Sequence, residues 1–234
     1  MLLLLIQGMP WLLCLLYLVV LVFSATLHEI AHGWTAYKLG DPTAKMMGRI
    51  TLNPKVHLTR MGFLAMLLLP IGWANPVIIN PRNFTNPKRD SILVSIAGPL
   101  MNLLLCFISV LIIVICGKAV GIAIPSLYLQ NFDNFTAYIS NVSPLMYAVV
   151  LLFSVFAYLN ALLFIFNLLP IPPLDGSRLL TSWLPYKARE WLWRVEQYGI
   201  IVLFLIIYLI SPFLNWLEGL ITNGFYLTFH VIFF

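Results

Sequence analysis

His28-Glu29-Ile30-Ala31-His32 sets two imidazoles four residues apart, with a carboxylate directly after the first. In a helix this spacing stacks both rings on one face, one turn apart, so that they can share a metal ion. Two histidines and a glutamate among apolar neighbours are costly at membrane depth unless they are paired or coordinated. Zinc takes tetrahedral N, O and S ligands, and a catalytic zinc keeps three from the protein with the fourth position open to water. A third ligand is therefore required. Asp175, which closes the charge-free stretch 134–174, is the best carboxylate available. His57 in a basic loop and His230 in the apolar tail are weaker alternatives. Glu29 has no use in a purely structural site; beside a ligand, it suits the acid/base of a hydrolysis.

The elements that position these groups are membrane helices. Hydrophobic residues make up 62% of the 234 and charged residues 9%, with a mean hydropathy of +0.97; a soluble domain carries about 25% charged residues. This excludes a disordered chain, a collagen-like or disulfide-rich scaffold and a nucleic-acid binder, and the net charge of +5 reads as loop bias. Cys14, Cys106 and Cys116 all lie in apolar runs without C-x-x-C spacing, as small apolar residues would. The N-terminus has no Lys or Arg before its apolar stretch and no small-residue cleavage site, so it is expected to stay attached.

A hydrocarbon core about 30 Å thick needs roughly 20 apolar residues of helix. The first helix is expected from near Pro10 to about Lys38, carrying the His28–His32 word at its cytoplasmic end. Lys and Arg concentrate in 38–60 and 82–90, which the positive-inside rule places together in the cytoplasm. The stretch between, Met61 to Pro81, must then leave and return on one face, as a re-entrant or interfacial segment. Ser91–Cys116 spans outward, Leu145–Leu169 spans back, and Arg178, Lys187, Arg189 and Arg194 mark cytoplasm again, on the side of His32. Gln197–Leu217 is read as a fourth span, and Gly219–Phe234 as a Gly- and Asn-broken tail, either an interfacial helix or a partial span. The expectation is an all-α polytopic membrane protein of about four transmembrane helices, N-terminus outside, plus the re-entrant or interfacial segment with short extended pieces. Residues 1–234 form a single domain.

Three segments carry a resemblance. The HEIAH word, Ser95-Ile-Ala-Gly98-Pro99-Leu-Met-Asn102, and Asn167 through Asp175-Gly176 look like the site-2 protease family of intramembrane zinc metalloproteases. The match covers roughly residues 25–180 and is similar to the small bacterial and archaeal members without PDZ or CBS domains; Gly40-Asp41-Pro42-Thr43-Ala44 through Asn53-Pro54 also resembles that subgroup. The resemblance implies one Zn²⁺ per chain held by His28, His32 and Asp175, Glu29 as catalytic acid/base, and Asn102 assisting substrate or oxyanion binding. It also implies a transmembrane protein as substrate and a multi-pass location in a prokaryotic plasma membrane, with the active site near the cytoplasmic side. The chain departs from the subgroup in reading His57-Leu-Thr59-Arg60-Met-Gly62 and Gly72-Trp-Ala-Asn75-Pro-Val.

In the mechanism implied, zinc polarises the scissile carbonyl and acidifies water, while Glu29 moves the proton. A substrate helix must unwind locally, and Arg49-Ile-Thr-Leu52 or Val77-Ile-Ile79 could offer it a strand edge or serve as membrane-surface connectors. Gly98-Pro99 disturbs the second span near the site. Two rivals stand beside the protease reading. A metal transporter would want further polar residues along one route, and a zinc-stabilised scaffold would not need Glu29.

Overall fold

The computed structural model describes residues 11–68, 75–120, 143–181, 184 and 199–233. Helix α1 (Trp11–Lys38) is followed by two single-turn helices, α2 (Thr43–Met46) and α3 (Pro54–His57), then by α4 (Arg60–Leu68). A 3₁₀ turn (Pro81–Asn83) leads into α5 (Pro87–Val120); α6 (Pro144–Asn167), α7 (Asp175–Thr181) and α8 (Gly199–Phe233) complete the described chain. Among the described residues three helices are long and apolar enough to cross a membrane: Trp11–Lys38, Pro87–Ala119 and Pro144–Asn167. Three of the expected four spans are thus present, and the connection between the second and third falls largely outside the described residues.

Local chemistry sets the ends. Helix α1 closes with Gly40 at φ +104°, the N–H of Gly40 returning to Tyr37 O (3.2 Å) and that of Asp41 to Ala36 O (2.9 Å). This is a Schellman closure, for which a left-handed glycine is the cheapest residue. Asn86 caps α5, its Oδ1 accepting from Arg89 N (3.3 Å) while Asp90 Oδ2 accepts from Asn86 N (3.0 Å). Ser143 caps α6, with Pro144 in the first turn where its missing N–H is harmless.

Helix α5 is central, packing on α1, α6, α7 and α8. Cys106, Val110, Ile113 and Val114 of α5 meet Val150, Ala157 and Ala161 of α6 and Phe229 of α8 in one apolar cluster. Leu13, Val20 and Leu21 of α1 meet Met66 of α4 and Val155 and Leu159 of α6 in another. Between α1 and α6 a buried Asn160 Nδ2 donates to Ser24 Oγ (2.9 Å), a contact of the kind that associates helices in lipid. Trp11, Leu15, Val19 and Phe23 line an exposed apolar flank of α1, as a lipid-facing surface would.

The structure sharpens the sequence expectations at two places. The Gly- and Asn-broken tail, left open as an interfacial helix or a partial span, is the continuation of α8, helical through Gly219, Asn223 and Gly224 to Phe233. A glycine costs a helix only about 1 kcal/mol, and Thr222 and Thr228 bond back to the carbonyls of Glu218 and Gly224 in that stretch. The pieces expected to be extended also differ from one another: 77–79 has no regular secondary structure, 50–52 is a bend, and neither joins a sheet ladder among the described residues. Of Met61–Pro81, residues 61–68 belong to α4, 75–80 have no helix or strand, with Asn80 in the extended region, and 69–74 lie outside the described residues.

Asp41 is fully buried just beyond α1. Burial pushes its carboxyl up, but hydrogen bonds from Thr43, Asn80 and Asn83 outweigh this and hold it below the ordinary carboxylate range. A lowered folded pKa stabilises the protein above the unfolded value, and that stability is lost as pH falls through the folded one. The gap in thermal stability between wild type and Asp41→Asn is therefore expected to be constant at neutral pH and to narrow only below about pH 4. A gap already closed near about pH 6 would contradict the assignment.

Candidate metal centre

His28 and His32 lie one turn apart near the end of α1, with 7% and 5% of their surface exposed. Their rings meet edge to face, 4.6 Å between centroids. Asp175, the first residue of α7, enters from more than 140 positions along the chain and completes a triangle. His28 Nε2 is 3.0 Å from His32 Nε2 and 3.0 Å from Asp175 Oδ2, and His32 Nε2 is 3.1 Å from Asp175 Oδ2. Among the described residues these three form the one group of His, Cys, Asp or Glu side chains arranged to hold a metal ion.

The donor set fits zinc. Ligands about 2.0–2.1 Å from a tetrahedral zinc stand roughly 3.3 Å apart, close to the observed edges. His32 Nδ1 lies 2.6 Å from Val94 O of α5. A carbonyl only accepts, so Nδ1 carries the proton and Nε2 presents a bare lone pair; such outer contacts orient metal-binding histidines. Asp175 Oδ2 lies within 3.1 Å of both Nε2 atoms. An ionised carboxylate beside two imidazole nitrogens is a typical hydrolytic zinc set.

The backbone makes room for the cluster. A Cβ on Gly98 of α5 would stand 2.3 Å from His32 Nε2 and 2.6 Å from His28 Cε1 and Nε2. Gly98, expected with Pro99 to disturb α5 near the site, is thus a close-approach glycine. On the other wall, a Cβ on Gly176 would meet Leu168 O at 2.3 Å and Leu169 O at 2.4 Å, so glycine lets the turn before α7 fold tightly enough to present Asp175. Leu174 N bonds to Ile171 O (2.9 Å) and Ser177 Oγ to Leu174 O (2.7 Å), fixing that turn.

Glu29, also buried, accepts from Val77 N at 2.9 Å. Asn102, one turn beyond Gly98 on α5, is wholly buried, and both its amide atoms lack a hydrogen-bond partner among the described residues. His57 lies apart from the cluster: its Nε2 donates to Thr51 O (2.8 Å) and its carbonyl accepts from Asn75 N (2.6 Å). His230 belongs to α8. The Val94 carbonyl, the Val77 amide and the space at Gly98 were not anticipated from the sequence. The Ala97-Gly98-Pro99 run on a span was the only available signal.

Residues 16–210 match Peptidase family M50. The chain is 39% identical over 206 residues to "Putative zinc metalloprotease YwhC" of Bacillus subtilis, covering 85% of this chain and 86% of that one. It is 29% identical over 206 residues to "Putative zinc metalloprotease Rip2" of Mycobacterium tuberculosis, covering 85% and 68%. The Rip2 of Mycolicibacterium smegmatis is 27% identical over 199 residues. No solved structure matches the chain.

Gly98→Ala is expected to displace both imidazoles and weaken zinc retention about 10- to 100-fold in chelator competition. Asp175→Ala should likewise lose zinc, and His57→Ala should keep it. Wild-type retention by Gly98→Ala would contradict the close-approach reading.

Proposed function

Because the chain belongs to peptidase family M50, we propose that His28, His32 and Asp175 hold its zinc ion and that Glu29 is the acid/base of peptide hydrolysis. The protein is a membrane-embedded zinc metalloendopeptidase with one metal site per chain, acting on peptide bonds in transmembrane segments of membrane proteins. The observation that carries the residue assignment is the approach of three ligand atoms within 3.1 Å of one another, with a buried carboxylate one residue from the first.

Zinc, when bound, supplies Lewis acidity toward the scissile carbonyl and toward water. The chain's own groups do the rest. Glu29 Oε2 is tied to Val77 N–H, which leaves Oε1 to take the proton of the attacking water and return it to the leaving amine. Asn102, buried with its amide unpaired, offers an N–H to the substrate carbonyl as negative charge builds on its oxygen. The apolar packing of α1, α5 and α6 excludes bulk water and strengthens both interactions.

The finer architecture belongs to the same proposal. The metal centre lies near the cytoplasmic side of a prokaryotic plasma membrane in this reading, which the Lys and Arg of 38–60, 82–90 and 178–194 support as to side. Residues 61–81 leave and re-enter on that face, the first half of α8 is a fourth span, and residues 1–234 act as a single domain. Val77-Ile78-Ile79, with Ile78 52% exposed, supplies a strand edge for an unwound substrate segment.

Glu29→Gln is expected to keep about one zinc per chain and to lower cleavage of a model transmembrane substrate about 10²- to 10⁴-fold. Asn, Gly or Pro near the cut should speed cleavage, since each weakens the substrate helix. Undiminished turnover by Glu29→Gln would overturn the assignment. For topology, cysteines placed at Lys45 and Lys88 should resist impermeant labelling of intact cells; strong labelling of either would place that segment outside.

A further inference from the structure

We propose that Asp41 is a positioning residue for Glu29, acting through the stretch 75–80 and not by touching the metal centre. The proposal rests on the reading of Glu29 as acid/base. Asp41 is wholly buried, and its carboxylate is fully engaged. Oδ1 accepts from Thr43 N (3.1 Å), Thr43 Oγ1 (2.5 Å) and Asn83 Nδ2 (2.7 Å), and Oδ2 accepts from Asn80 N (2.7 Å). None of these partners is a cation. A buried carboxylate satisfied by neutral donors is costly to desolvate, and here two of its donors come from a segment 39 and 42 residues further along. What the group accomplishes is to bind that segment to the end of α1.

The consequence lies three residues back along the segment, where Val77 N donates to Glu29 Oε2 at 2.9 Å. Both partners of this bond are referred to α1: Glu29 through the helix backbone and Val77 through the Asp41 clamp at Asn80. The other end of the stretch is also anchored. Asn75 N donates to His57 O (2.6 Å), and Asn75 Oδ1, in the amide orientation that satisfies both groups, accepts from Arg49 Nη1 and Nη2 at 3.0 and 2.8 Å. Arg49 also donates to Val56 O, which ties the anchor to α3. Val77 is thereby held between two fixed points. A glutamate has three rotatable side-chain bonds, so an immobile N–H on one carboxylate oxygen decides where the other points. A misplacement of about 1 Å far from the chemistry can cost about 10²-fold in rate.

The test uses the full chain reconstituted in membranes with a model transmembrane substrate. Asp41→Ala is expected to lower kcat about 10- to 100-fold while KM and zinc per chain stay unchanged. Amide hydrogen exchange in residues 75–80 should rise in parallel. The reciprocal pair Asp41→Asn with Asn83→Asp, which keeps an acceptor for Asn80 N and a donor toward residue 83 but leaves Thr43 N without its acceptor, should recover part of both effects. If Asp41→Ala does not accumulate, the isosteric Asp41→Asn alone gives the same comparison. A kcat within about twofold of wild type despite faster exchange at 75–80 would overturn the proposal. So would a fall in kcat that tracks loss of zinc, or a reciprocal pair that restores exchange but not turnover. Undiminished turnover by Glu29→Gln would instead retire the acid/base reading and the positioning role with it. Unchanged kcat in Asp41→Ala beside an inactive Glu29→Gln retires the positioning role alone.

Discussion

Two imidazoles and a carboxylate packed within 3.1 Å of one another, inside a chain that is 62% hydrophobic, impose the constraint from which the rest of the structure follows. Ligand atoms so close together, with little water to solvate them, are stable only if each is oriented and each finds a partner. The orientation comes from backbone. Val94 O fixes the tautomer of His32, and the turn 168–174 aims Asp175. Two glycines, Gly98 and Gly176, are needed because any side chain there would occupy space taken by a ring or a carbonyl.

Helix α5 is where these demands meet. It supplies the His32 acceptor, the gap at Gly98 and the unpaired Asn102 on one side, and packs its apolar side chains against α6 and α8 on the other. Pro99 follows the close-approach glycine directly, and its missing N–H frees a carbonyl in the turn that already bonds a histidine. The polar residues of the spans are few and mostly accounted for. Ser24 and Asn160 join α1 to α6, Ser95 and Ser109 bond back to their own helix, and Asn102 is left without a partner.

Much of the site was legible because part of it is local and the rest is rare. The i, i+4 histidines need only a helix to meet, and the apolar flanks of Leu27, Ile30 and Ala31 made a helix there inevitable. Asp175 could be singled out because acidic residues are scarce at the ends of the spans. What stayed hidden is carried by main-chain groups. The carbonyl of Val94 and the amide of Val77 have no residue signature, and they reach the site from 62 and 48 positions away. The helical continuation of α8 through Gly219, Asn223 and Gly224 was hidden for a different reason: turn-forming residues were weighed without the packing on α5 and α6 that overrides them.

The central claim is that His28, His32 and Asp175 together bind zinc, and X-ray absorption at the zinc edge of the membrane-reconstituted protein addresses it most directly. A shell of nitrogen and oxygen at about 2.0–2.1 Å is predicted, with outer-shell scattering from two imidazoles in the wild type and from one in either His28→Ala or His32→Ala. A third imidazole that disappears in His57→Ala, or a sulfur shell at about 2.3 Å, would contradict it.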